Sequence, residues 1–351
     1  MNYEEFMKSD GIQHFECGVQ AKKGKGKGKN KGVKQAFESK VDMSEERMER
    51  LKKMLSESKT GRQTLEFLEE KGSALIFEPM KYYGYFSPDN NLVALNPAKS
   101  DEDLAITFVH EVRHAWQDSQ MESTSPEYNP KTFLVSGYAI EADACAAEVM
   151  YAHEMRGTHP EIWEAHQKTR YAGMSTAFDK KLQETGDVDQ ARTEALLNWY
   201  YLPVKPSYAG NYVDYLSQVG REAAGMKEAN ESVETASSYL SKDIDSQVIC
   251  DTFFKDYDGK QFLSDPKPLE EASRLSIDNN QAFLLAKGMI PYMDAFGKSA
   301  ADLGLDKITV KYSTGNETTC AKYVQSYKER TDPKNRVSAK VAMQALKNQG
   351  R

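Results

Sequence analysis

The apolar positions of the chain change period several times, and each change marks an element. From Asp42 the spacing is helical: Met48, Leu51 and Leu55 share a face, Ser44 or Asp42 can cap the start, and Glu45 and Glu46 occupy the first turn. A second helix is predicted from Thr60 to Glu70, with Leu65 and Leu68 inward and Gly72 as its stop. The period then shortens. Ala74 to Phe77 is a brief apolar run before Pro79, Tyr82 to Phe86 is aromatic, Pro88 to Asn91 is a turn, and Leu92 to Leu95 is apolar again. This predicts a small antiparallel sheet with a hairpin. Helical spacing returns at Leu104, Phe108, Val112 and Ala115, behind Ser100 or Asp101 as cap. After a loop rich in Ser, Pro and Asn (123–131), a long helix is predicted from Thr132 to Arg156, its buried side supplied by Phe133, Val135, Ile140, Ala144, Ala147 and Met150 or Tyr151. Further helices are predicted over 161–182, 188–200 and 209–229; beyond 230 the pattern supports short helices and one strand, 308–312. Helices surrounding one small sheet place the chain in the α+β class, mostly helical.

The chemistry sits in the helix that begins near Asp101. It carries His110-Glu111-Val112-Arg113-His114, a His-Glu-x-x-His pattern. Residues i and i+4 share a helix face, so the two imidazoles can hold one Zn²⁺ at about 2.0–2.1 Å each. Glu111, next to the first of them, reaches a water on the metal rather than the metal itself, which suits a general base. A catalytic zinc takes three protein ligands and keeps one position open. In the extended form of the motif a Gly and a third His follow, but Gln117 and Gln120 stand there instead. The third ligand is therefore expected downstream. Glu141 is the best candidate: Ala142, Ala144, Ala146 and Ala147 surround it, and small side chains let two helices approach closely. Asp143 ranks second, since it lies about 200° further round the helix. Glu148, two turns beyond Glu141 on the same face, ranks third. His153, His159 and His166 read as surface or packing residues, Trp116 as core, and Arg113 as the ion-pair partner of some nearby acid.

HEVRHAWQ followed by IEADACAAEVM resembles the compact gluzincin metallopeptidases, including the minimal-domain types of bacterial and phage proteins. The resemblance covers roughly residues 42–220. It implies a zincin-like fold, with His110, His114 and Glu141 as the zinc ligands and Glu111 as the base. Larger gluzincins often carry an acid one turn after the ligand Glu to orient a zinc-bound His. Cys145 occupies that place here, so the orienting group is open between Asp118 and a backbone carbonyl. Zinc peptidases also supply a donor to the developing oxyanion, and Tyr200, Tyr201, Tyr208, Tyr212 and Tyr215 are the candidates.

Composition narrows the function class. With 39% hydrophobic and 28% charged residues the chain reads as a soluble protein with some flexible parts. No apolar run is long enough for a membrane span, and the N-terminus shows no Sec signal, so a cytoplasmic location is expected, with non-Sec export as the alternative. Four widely spaced cysteines argue against a disulfide scaffold and a Cys-based zinc site. Seven lysines and no acid between residues 22 and 34, and a second basic stretch at the C-terminus, flank an acidic body. That is not the footprint of a dedicated nucleic-acid binder. The expected organisation is a Lys/Gly-rich tail (1–41), a metallopeptidase domain (42–220) and a C-terminal region (221–351) that could recognise substrate. The expected function is zinc-dependent hydrolysis of a protein or peptide substrate. Two rivals stand beside it: a binding protein with a structural zinc site, and a delivered effector or toxin using the same chemistry. A strand just before the zinc helix could also offer a free edge to an extended peptide.

Overall fold

The protein is described by a computed structural model over residues 42–122 and 124–332. The predicted Lys/Gly tail, Ser123 and the basic end beyond residue 332 lie outside the described residues. Two helices come first, α1 (Glu45–Leu55) and α2 (Lys59–Lys71), capped by the side chains of Ser44 and Ser58. Three short strands follow: β1 (Ala74–Phe77), β2 (Gly84–Ser87) and β3 (Leu92–Leu95). They lead into α3 (Asp101–Gln120) and, after a loop, α4 (Pro130–Glu154).

The hairpin is present, with β2 antiparallel to β3, but β1 joins β3 in parallel. The sheet is therefore mixed, in the order β1-β3-β2. The strand nearest α3 in sequence, β3, is the central one, buried at Val93, Ala94 and Leu95. The edge that faces the helix is β2. Asn96 N–H donates to Tyr83 O (2.8 Å), so by the alternation of antiparallel pairs Tyr85 and Ser87 bond to β3 while Gly84 and Phe86 turn their backbone groups outward. Gly84 is required there: a Cβ would lie 2.7 Å from Thr107 Cγ2 and 2.8 Å from the carbonyl oxygen of Ala94. The 78–83 loop that precedes β2 is pinned by Asn96, whose amide donates to the carbonyls of Met80 (2.9 Å) and Tyr82 (2.7 Å).

α3 buries the predicted stripe of Leu104, Phe108, Val112 and Ala115 completely. Its N-cap is Ser100, which accepts from Asp103 N–H. α4 is the central element. It begins at an Asn129 cap with Pro130 in its first turn, and almost every residue along it is buried. Burial on all faces explains why a one-sided periodicity could not describe it. The helix predicted over 161–182 is two, α5 (Pro160–Gln167) and α6 (Ala172–Thr185), broken between them by the turns around Lys168 and Thr169. α7 (Val188–Trp199) and α8 (Lys205–Ala229) complete the wall around α4.

α8 passes through residue 220 without a break, and the C-terminal region packs on it. After α9 (Val233–Ser238), α10 (Ser246–Phe253) and α11 (Lys267–Glu270) comes a second small mixed sheet, β4 (Ser276–Asp278), β5 (Thr309–Lys311) and β6 (Glu317–Thr319). With it stand α12 (Asn279–Phe296) and α13 (Cys320–Thr331). The predicted strand at 308–312 is β5. α12, at 18 residues, is longer than the short helices expected. α8 and α12 cross at Gly220 and Gly288, where a Cβ on Gly288 would come within 2.3 Å of the Ser217 backbone. No helix among the described residues is long and apolar enough to cross a membrane.

Lys205, in the first turn of α8, ties the second sheet to this scaffold. Its buried amino group donates to Ser276 O (2.9 Å) and lies 3.2 Å from Ser276 Oγ. Burial, together with the charge of Lys311, pushes its pKa down to about 7. Between that value and an unfolded one near 10.4 the unfolded state binds more protons. Stability from this group is therefore complete above the unfolded pKa and is lost as pH falls towards about 7. Denaturation midpoints of wild type and Lys205→Met, compared at pH 7.5 and 9.5, should show the wild type gaining relative to the variant at the higher pH.

Candidate metal centre

α3 places His110 and His114 one turn apart, and their Nε2 atoms face each other at 2.9 Å. Glu141, on α4, brings its carboxylate oxygens to 3.9 Å from each ring nitrogen. Donor atoms about 2.0–2.2 Å from one ion lie at most about 4.4 Å apart, so all three separations are compatible with a common ligand set. The three side chains are 12–17% exposed, so the cluster is largely buried but reaches solvent.

The hydrogen bonds behind the rings decide which nitrogen is free. Gln117 spends its amide N–H groups on Ile140 O (3.0 Å) and Asp143 Oδ2 (2.8 Å). Its Oε1 must then accept from His114 Nδ1, 2.8 Å away. Glu148 Oε1 lies 2.5 Å from His110 Nδ1 and accepts from it. With both Nδ1 atoms donating, each ring when neutral carries its lone pair on Nε2. Two such lone pairs facing each other need a cation between them: in the protein alone a proton held by His110 serves, and a metal ion in its place would use both nitrogens, so the donor set fits a metal ion.

The charges agree. Among the protein's own groups, burial opposes protonation of His110, but Glu148, Glu111 and Glu141 outweigh it and hold its pKa up at about 9. Burial, aided by His110, drives His114 down to about 3. Burial raises Glu111 to about 7, and the neighbouring Glu141 and Glu148 add to the rise. Three carboxylates around two imidazoles leave an excess of negative charge that a divalent cation neutralises.

Glu111 points towards β2 and accepts a hydrogen bond from the outward N–H of Phe86. A cavity of about 30 Å³, room for about one water, lies beside it, lined by Tyr82, Gly84, His110, Glu148, Tyr171 and Tyr208 among others. Of the tyrosines considered from sequence, Tyr208 alone lines this cavity. Its hydroxyl hydrogen-bonds Glu141 and lies 3.3 Å from the Tyr171 hydroxyl. Tyr200, Tyr212 and Tyr215 are core, and Tyr201 is 58% exposed.

A family model described as "Putative metallopeptidase family (DUF6782)" matches residues 27–244, more than half of the chain. The chain belongs to this family. Searches of curated proteins and of solved structures gave no match. The putative metallopeptidase family implies a metal ion and a protein or peptide substrate, and its matched span contains the whole His110–His114–Glu141 cluster.

The other candidates separate cleanly. Asp143, the second-ranked ligand, points away from the cluster and accepts from Arg113 Nε at 2.6 Å, which names the acid expected beside Arg113. Glu148, the third-ranked, sits behind His110 instead of beside Glu141. Asp118, considered as an orienting group, pairs with Lys71 at 3.3 Å. Cys145 Sγ is 4.0 Å from His110 Nδ1, beside the orienting carboxylate but not replacing it. Sequence reasoning therefore missed both orienting groups. Glu148 had a signal, its place on the Glu141 face two turns on. Gln117 had one too, since it follows His114 by three residues and so shares its side of the helix.

Proposed function

We propose that this chain is a zinc-dependent peptidase of gluzincin type in which His110, His114 and Glu141 hold the ion and Glu111 is the general base. The observation that carries the reading is the convergence of two Nε2 atoms and one carboxylate on a shared point, with a second carboxylate, that of Glu111, beside it. Zinc held by these three residues would supply Lewis acidity to a scissile carbonyl and lower the pKa of a water.

The chain's own groups supply the rest. Glu111, held by Phe86 N–H, takes the proton from the attacking water and can pass it to the leaving amine. Tyr208 O–H stands at the same cavity; it donates to Glu141, and by turning from that carboxylate it can donate to the oxygen on which negative charge develops. Outward-facing Gly84 and the Phe86 carbonyl give an extended peptide a strand to pair with, along the β2 edge that runs past Glu111.

The test is metal content with hydrolysis. Purified wild type should carry one zinc per chain, lose activity on chelation while staying folded, and regain it when zinc is returned. Glu141→Ala should fold but hold zinc more weakly. Unfolding on chelation, with no hydrolysis by the loaded wild type, would instead mark a structural ion.

A further inference from the structure

We propose that His166 and Ser175 are positioning residues for the metal centre, acting on His110 through Glu148. The proposal rests on the zinc reading of His110, His114 and Glu141.

Glu148, His166 and Ser175 come from α4, α5 and α6 and are at most 1% exposed. Glu148 uses one oxygen on His110 Nδ1. Its other oxygen lies 3.5 Å from His166 Nε2, an ion-pair contact longer than a hydrogen bond, and neither of these two buried atoms has a hydrogen-bond partner among the described residues. On the far side of the ring, Ser175 Oγ is 2.6 Å from His166 Nδ1. When the Ser175 hydroxyl donates to Nδ1, the neutral ring carries its proton on Nε2, aimed at Glu148. The ring plane is set by stacking on Trp163, with centroids 6.5 Å apart and planes 21° from parallel. A histidine kept only for packing has no need to commit both nitrogens to one line of groups. Here the line runs from Ser175 through His166 and Glu148 to the imidazole whose lone pair faces the metal position. With its outer oxygen facing His166, the Glu148 carboxylate is kept turned towards His110, and His110 keeps the tautomer and orientation a ligand needs.

The experiment is zinc affinity by chelator competition for wild type, His166→Leu, His166→Gln and Ser175→Ala, with melting of each zinc-free protein measured alongside. His166→Leu should bind zinc about tenfold more weakly. His166→Gln, which can return an amide N–H to the place of Nε2, should stay within about threefold of wild type, and Ser175→Ala should fall between them. Equal zinc affinity in all four proteins overturns the proposal. So does a loss shared equally by His166→Leu and His166→Gln that tracks their melting, because that is the mark of packing alone. If His166→Leu does not fold, an unchanged Ser175→Ala is sufficient to overturn it. A wild type that binds no zinc fails at the earlier step, the metal reading itself, and is told apart by that measurement alone.

Discussion

Glu111→Gln should keep its zinc and lose peptide hydrolysis by about 10²–10⁴-fold, the usual contribution of a positioned general base. The substitution keeps the shape of the side chain and leaves an oxygen to accept the Phe86 N–H, so fold and metal site should be undisturbed. What it removes is the group proposed to take the proton. The wild type should also show an acid limb in its rate profile. Glu111 must be ionised to act, its pKa lies near about 7 among the protein's own charges, and a bound cation lowers it further. Activity should therefore fall as pH drops through a value at or below about 7, and the residual rate of the variant should lack that limb. A proteome-wide cleavage profile of the two proteins measures the effect and reports the substrate at once. Identical profiles would remove Glu111 from the chemistry.

Asp143→Ala should cost about 3–5 kcal/mol of stability, the range for breaking a fully buried ion pair from one side. Asp143 is fully buried and accepts from Arg113 Nε (2.6 Å) and Gln117 Nε2 (2.8 Å), with Arg192 at 3.5 Å. Its loss leaves two buried guanidinium groups short of a counter-charge. The effect should spread. Arg113 also donates to the carbonyls of Phe253 and Lys255, and Arg192 to Asp256, so the chain after α10 is tied to the same carboxylate. Gln117 would lose one of the two anchors that aim its oxygen at His114, and zinc affinity should drop with stability. Denaturation midpoint, hydrogen exchange at residues 253–256 and zinc affinity test the three parts. An unchanged midpoint would show that the arginines find other partners.

The two predictions draw on different sources of information. The clustering of His110, Glu111 and His114 was legible because a helix converts sequence spacing directly into a shared face: His110 and His114 at i and i+4 need no partner element to be aligned. The stripe of Leu104, Phe108, Val112 and Ala115 was legible for the same reason. The mixed pairing of the first sheet was not. Strand patterning reports which face is buried, but the neighbour of each strand is chosen by the path of the connecting loop, here the Asn96-pinned segment from residue 78 to 83. The break between α5 and α6 was also hidden, because the residues between them carry no Pro or Gly to announce a turn.

Sequence by itself determined the helical period, the capping of α3, the His-Glu-x-x-His face and a carboxylate at Glu141 flanked by small residues. These are local quantities, fixed by bond geometry within a few turns. Tertiary structure alone decided that Glu148 and Gln117 stand behind the two imidazoles, that Asp143 serves the arginines, and that His166 is buried against Glu148. Each of those contacts joins separate helices or depends on where a neighbouring helix places its partner. Which acid meets which base across such a gap is settled by how the helices pack around α4, since only packing brings residues distant in the chain within hydrogen-bond reach.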